Sequence, residues 1–420
     1  MRIAFIVGAF PSISETFILT QIAGLHENKY DINIFAQKPT KIEKIHAIYN
    51  KFDLASKTRY FPSMPKNYIF RFLKMLYILA IHLPKKPRIL IKSLHFIKYG
   101  RFCRSLRLFY MSIPFLEVCN AQYDVIHCHH GNSGMIGVLL REIGAIRGPL
   151  LTTFHGYDAN VLPKKFGSDI YNFLFKKGNL FTVNSHFTGN VIKALGCPEH
   201  KIRKLPVGLN IEEYTIQKEV KRNHNKIKIL TVGRLVEKKG VEYALKAISQ
   251  IVSLHPNILY QIVGDGELRF FLEKLSVELN INNNVQFLGW KTQEELKKIY
   301  FDADIFMLVS VTAQDGDREG QGLVLQEAQA SGLPVIATIH NGFPESVQSD
   351  KSAFLVPERD VYAITSRLEY LISNPHIRFN MGLTGRKYVE NKFSTTVLQK
   401  KLISIYTEVV YKENEVLSTS

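Results

Sequence analysis

The segment EGQGLVLQE, residues 319–327, sets two carboxylates eight positions apart, with two glycines after the first and an apolar run between them. Glycine lets backbone approach a ligand closely. A helix opening there would offer free N–H groups and its positive dipole end to a phosphate. Carboxylates do not suit a bare phosphate site. They suit a ligand that carries hydroxyls on both sides of its phosphates. Eight helical residues rise about 12 Å, close to the span from a sugar, across a diphosphate, to a ribose. Glu319 is then placed to accept from a transferred sugar and Glu327, two turns in, from the ribose. The plain alternative is one glutamate at a helix dipole and a second on a half-exposed face.

Other groups fall at similar places in the pattern. In TVGRLVEKKG (231–240) Arg234 follows an apolar run and Lys239 precedes Gly240 at the apparent start of a helix. Cations there oppose the helix dipole, so a bound anion would explain them; solvated surface charge is the competing account. VGDGELR (263–269) puts Gly264 and Gly266 in a tight turn after a strand, a weak signal. FHGYD (154–158) puts His155 just past a strand, and HCHH (127–130) has metal-ligand residue types. Neighbouring side chains of a strand point to opposite faces, so a structural or loop role fits HCHH better. In GAFPSISETFI (8–18), Ser12 and Glu15 match a capping box. Two D-x-D triplets, 302–304 and 315–317, resemble diphosphate–metal ligands. The first precedes a strand, at the wrong end of a sheet, and the second sits where Arg234, Lys239 and a helix N-terminus already supply positive charge, so no metal is expected.

The elements that must position these groups alternate in type. Buried-strand patterns occur at 2–7, 31–35, 124–128, 150–154 and 179–183, and again at 226–232, 259–263, 285–289, 304–308 and 333–338, with helical patterns between most of them. This predicts an α/β chain with two parallel, doubly wound sheets and a cleft between two Rossmann-like domains. KLPVGLN (204–210) marks the boundary, a Lys/Asn/His-rich stretch (218–226) follows, and 393–411 reads as an amphipathic helix before a polar tail. The expected division is 1–206 and 207–392, with helix 393–411 completing the first domain. The four cysteines form no C-x-x-C pair and read as small buried thiols. No run is long and apolar enough for a spanning helix, and the first residues read as a buried strand rather than a secretory signal.

Taken together, the two glutamates, GRLVEKKG, VGDGEL, HGYD and the Pro/Gly linker resemble the retaining GT-B glycosyltransferases of family 4, along essentially the whole chain. SETFI (14–18) is similar to members that build bacterial exopolysaccharide and lipopolysaccharide. The resemblance implies a GT-B fold, and metal-independent, cofactor-free transfer of a hexose with retention. The donor it implies is a nucleotide-diphosphate sugar held mainly by the second domain, with a UDP-sugar expected. It further implies that Glu319 contacts the donor sugar and Glu327 the ribose, and that Arg234 and Lys239 neutralise the diphosphate. The backbone of Gly320, Gln321, Gly322, Leu323 and Val324 would cradle it, with Gly233 and Gly264 also on the donor side. His155 would line the acceptor side near the reacting carbon. The GAFPSISE loop departs from the Gly-Gly-rich loop of many members.

Charge distribution adds a partner. Thirteen of the 54 Lys and Arg lie between Leu54 and Leu116, where there is no Asp or Glu; elsewhere 41 basic residues face 37 acidic ones. In 68–83 and 88–101, Arg71, Lys74, His82, Arg88, Lys92 and His95 recur at helical spacing on otherwise apolar segments. This suits an anionic membrane surface better than nucleic acid, because the aromatic residues lie within aliphatic runs rather than as isolated stacking platforms. The expectation is a cytoplasmic enzyme, peripheral on the inner face of the plasma membrane, with a glycan or lipid-linked glycan acceptor. A GT-B epimerase or phosphorylase and a basic nucleic-acid-binding protein are the alternatives.

Overall fold

The computed structural model describes residues 1–12, 15–40, 47–118, 121–216 and 226–419. Ser14 of SETFI, Cys119 and nearly all of the 218–226 stretch lie outside them.

Thirteen strands form two wholly parallel sheets among the described residues. The first contains β1 (Arg2–Ala9), β2 (Asp31–Lys38), β3 (Thr58–Tyr60), β4 (Val125–His129), β5 (Leu150–Phe154), β6 (Leu180–Val183) and β7 (Ile202–Lys204), in the order β3-β2-β1-β4-β5-β6-β7. The second contains β8 (Ile227–Val232), β9 (Ile258–Val263), β10 (Val285–Gly289), β11 (Ile305–Leu308), β12 (Val335–Thr338) and β13 (Ala353–Val356), in the order β10-β9-β8-β11-β12-β13. Every residue of β4 and β5 is buried. Helices cover both faces, which is why such strands read as continuous apolar runs. The fold is GT-B: two Rossmann-like domains facing each other.

In each sheet the strand order reverses beside the first strand, between β1 and β4 and between β8 and β11. Ligands of doubly wound sheets bind beyond the carboxyl ends of the strands at such a switch point. The segments there are those that follow Ala9 and His129 in the first domain, and GRLVEKKG and the 309–322 loop in the second.

Two sequence expectations change. The last helix spans Thr395–Thr419 and takes in the supposed polar tail. It returns to the first domain, where Leu402, Ile405, Tyr406 and Val409 join Phe5 and Ile34 in one apolar cluster. The capping box at Ser12 and Glu15 does not form. The Thr16–Glu27 helix has Glu15 as its N-cap without a side-chain cap bond, because that carboxylate is engaged by His130.

Between β3 and β4 the acid-free region is mostly helical. Arg107–Leu116 lies against the sheet, with Phe115 stacked on Phe35 at 4.4 Å. Tyr68–His82 buries only Met75 and Ile78, and leaves large apolar side chains in solvent, Ile69 at 70% and Tyr77 at 68% exposed. Arg71 does not join a cationic stripe on this helix. Its guanidinium donates to the Pro65 carbonyl at 2.9 and 2.8 Å and to the Ser105 carbonyl at 3.3 Å, bracing the region internally. Lys74 and Arg88 are exposed.

Candidate active site

In the second domain, Gly233 and Arg234 follow β8, and a short 3-10 turn carries Lys239 back over the strand end. A Cβ on Gly233 would lie 2.9 Å from the Lys239 stem, so the bare α-carbon lets that side chain cross. Gly264 serves packing in the same way: its φ is +126°, and a Cβ there would meet the Gly233 carbonyl oxygen at 2.0 Å. Lys239 is buried, and its Nζ lies 2.8 Å from Glu319 Oε2. Burial opposes ionisation of Glu319, but Lys239 and then Lys238 outweigh it and hold the carboxyl down to about 2. Arg234 is exposed.

Almost every residue of the loop before the Leu323–Ala330 helix is tied down. Asp315 accepts from the Asp317 N–H at 2.7 Å, and Asp317 pairs with Lys238 at 3.0 Å. The Glu319 N–H donates to His340 Nε2 at 3.1 Å, and Asn341 Nδ2 donates to the Glu319 carbonyl. The Gln321 side chain grips the interdomain linker: its Oε1 accepts from the Val207 N–H at 2.7 Å and its Nε2 donates to the Val207 carbonyl at 2.8 Å. Gly322, at φ +70°, is the helix N-cap. Glu327 is buried in the second turn and accepts from the Tyr300 hydroxyl at 2.9 Å. Burial raises its pKa, against the pull of Tyr300 and Lys239.

The first domain contributes a histidine cluster. His127 and His129, two apart on β4, stack at 4.4 Å, and His129 Nδ1 lies 3.0 Å from His155 Nε2. His155 also packs on Phe17 at 4.7 Å. Burial, then the neighbouring His130 charge, hold His155 neutral, with its pKa down at about 3. His130 behaves oppositely. Burial disfavours its charge, yet the neighbouring carboxylates of Asp158 and Glu15 raise it to about 10. Its Nε2 is 2.7 Å from Glu15 and its Nδ1 3.7 Å from Asp158. Asp158 also accepts from the N–H groups of Gly131, His155 and Gly156, fixing the HGYD turn.

The two halves meet at glycine. A Cβ on Gly320 would lie 3.1 Å from the His155 carbonyl oxygen and 3.2 Å from Asn184 Nδ2. The Glu345 carboxylate accepts from the His186 N–H at 2.8 and 3.1 Å and pairs with Lys204 across the same gap. A cavity of about 580 Å³ opens beside His155, bounded by Phe17, His129, Thr153 and the linker at Val207 and Gly208. Gly320 thus brings the Lys239–Glu319 pair up to His155, although Lys239, Glu319 and Gly320 do not line that cavity. Sequence reasoning missed His130, Asp158, Lys238, His340 and Glu358 as members of this site. For His130 the signal was its place just after a switch-point strand.

Two parallel, doubly wound sheets, each with its own switch point, define the GT-B class of fold. The chain belongs to the glycosyltransferases: residues 14–213 match the Glycosyltransferase Family 4 profile and residues 212–388 the Glycosyl transferases group 1 profile. It is 33% identical over 414 residues to the putative colanic acid biosynthesis glycosyltransferase WcaL of Salmonella typhimurium, covering 96% of this chain and 99% of that one. It is 32% identical over 412 residues to the amylovoran biosynthesis glycosyltransferase AmsK of Erwinia amylovora, with the same coverage. Among solved structures, Anabaena HepE in complex with UDP superposes with a TM-score of 0.69 at 16% identity, covering 97% of this chain and 100% of that one.

Proposed function

We propose that the protein transfers a hexose, with retention and without a metal, from a nucleotide-diphosphate sugar to a glycan or lipid-linked glycan in bacterial surface polysaccharide synthesis. The observation that carries this is the pairing of buried Lys239 with half-buried Glu319, in the loop that leads into the Leu323–Ala330 helix. It sets a cation for a diphosphate next to a carboxylate for sugar hydroxyls. The names of the relatives, colanic acid and amylovoran glycosyltransferases, support the pathway class, and the UDP complex of a fold neighbour supports a UDP-sugar.

In this reading the bond from the anomeric carbon to the diphosphate breaks as the acceptor oxygen attacks from the same face. The departing phosphate takes the acceptor proton. Lys239 and the helix N–H groups stabilise the charge that develops on the leaving group, where preorganised electrostatics contribute most. Arg234, exposed at the rim, reaches the diphosphate once it is bound. His155 is neutral and meets the sugar as a hydrogen-bonding partner. The acid–base groups that an epimerase would need do occur, as Glu15, His130 and Asp158, but they are engaged with one another.

The enzyme works against an anionic membrane, on the cytoplasmic face of the plasma membrane. The exposed apolar face of the Tyr68–His82 helix lies in the interface, and Lys74 and Arg88 meet the headgroups. No helix among the described residues is long and apolar enough to cross a membrane. Nucleoside diphosphate release from UDP-, GDP- and ADP-hexoses tests the donor. Release with one base class, UDP expected, supports the reading; release with none, from protein that binds none of the nucleotides, overturns it.

A further inference from the structure

His340 follows β12 and is 1% exposed. A backbone N–H can only donate, so the 3.1 Å bond from the Glu319 N–H requires a lone pair on His340 Nε2. The ring's proton is therefore on Nδ1, and the Glu358 carboxylate 2.6 Å away receives it. Glu358 is itself fixed, accepting from the Thr312 N–H at 2.8 Å, and Arg359 lies 3.6 Å from it. Burial keeps the imidazole neutral, against the pull of Glu358. The chain of contacts runs from β13, through Glu358 and His340, into the backbone of the residue whose carboxylate meets Lys239.

We propose that His340 is a positioning residue for the transfer, with Glu358 fixing its tautomer so that Nε2 holds the Glu319 backbone where its carboxylate meets the reacting sugar. This rests on Glu319 contacting the donor sugar, as proposed above. His340 touches no substrate. Its effect falls on turnover, because a small displacement of a group that acts on the reacting centre can cost up to about 100-fold in rate. Nucleotide affinity is set elsewhere, at the helix N-terminus and Glu327.

Two substitutions separate this from a general packing role. Glutamine carries its terminal amide about as far from the backbone as Nε2, whereas asparagine reaches only the Nδ1 position. His340→Gln should keep kcat within about threefold of the parent. His340→Asn and His340→Ala should each lower it about 10- to 100-fold, with the donor KM and UDP affinity within about twofold. Amide hydrogen exchange over 317–322 gives a readout that needs no turnover: protection should fall in the Asn and Ala variants and persist in the Gln variant. Equal kcat and equal protection in the Gln and Asn variants, or a change confined to the donor KM, would overturn the assignment. Parent protein that shows the exchange pattern but consumes no nucleotide sugar would leave the latch standing and sink the transferase reading.

Discussion

Lys239 Nζ and the Glu319 carboxylate lie 2.8 Å apart in a largely buried site, one from the turn after β8 and the other from the loop after β11. Each makes the other's charge tolerable, since a lone buried ion is costly. Removing either should therefore damage more than one contact. Glu319→Gln should lower kcat about 100-fold, and Lys239→Met should lower kcat/KM at least as much while leaving a buried carboxylate unpaired. Initial-rate kinetics with a UDP-sugar check both; losses below about threefold in folded variants would remove the pair from the mechanism.

The same pair links stability to pH. The Glu319 pKa is held down at about 2, below its ordinary value. Its contribution, on the order of 3 kcal/mol, is present above the unfolded-state pKa and is lost as pH falls toward 2. Urea unfolding between pH 6 and pH 3 should show the parent losing more stability than Glu319→Gln. Parallel curves would mean that the carboxylate gains nothing on folding.

His130 gives the opposite slope. Its pKa is raised to about 10 by Asp158 and Glu15, so its ion pairing contributes fully below the unfolded histidine pKa, near 6.5, and fades as pH rises toward 10. The stability gap between the parent and His130→Phe should narrow from pH 6 to pH 10. A gap that widens would show the imidazole to be neutral.

Glu327 accepts from Tyr300 inside the helix rather than at its mouth. A ribose contact is much the same in ground and transition states, so Glu327→Gln should raise the donor KM about tenfold with kcat nearly unchanged. Calorimetry with UDP should show the same loss. A fall in kcat at constant KM would move Glu327 to the reacting end.

Membrane binding should depend on the apolar crest as well as on charge. Flotation with phosphatidylglycerol-containing vesicles should recover the parent, and recovery should fall when Ile69, Phe70 and Leu73 become Ser. It should fall less for Lys74→Gln with Arg88→Gln, and salt should weaken the parent only in part. Equal recovery with neutral vesicles, or none with either, would detach the acceptor from the membrane.

Most of the central strands could be read from sequence because burial on both faces makes them apolar throughout; LLTTF is β5 residue for residue. The strands that escaped, β3, β7 and β13, all lie at sheet edges, and β3 and β7 have three residues with none buried, so no apolar run marks those two. Glu319, Lys239 and His155 stood out because each follows a strand in a loop of unusual composition. His340 and Glu358 did not, because their role comes from a backbone contact across 21 residues of sequence. Arg71 was misread because spacing shows which residues share a helix face, not which carbonyls an arginine can reach.

The stereochemistry of transfer tests the central claim most directly. Proton NMR of the anomeric signal, recorded as a UDP-α-hexose is consumed with excess chelator present, should show the first product with the α configuration and turnover close to that without chelator. A product that appears first as the β anomer, or activity abolished by chelator and restored by Mg²⁺ or Mn²⁺, would contradict the account and bring Asp315 and Asp317 into the chemistry as metal ligands.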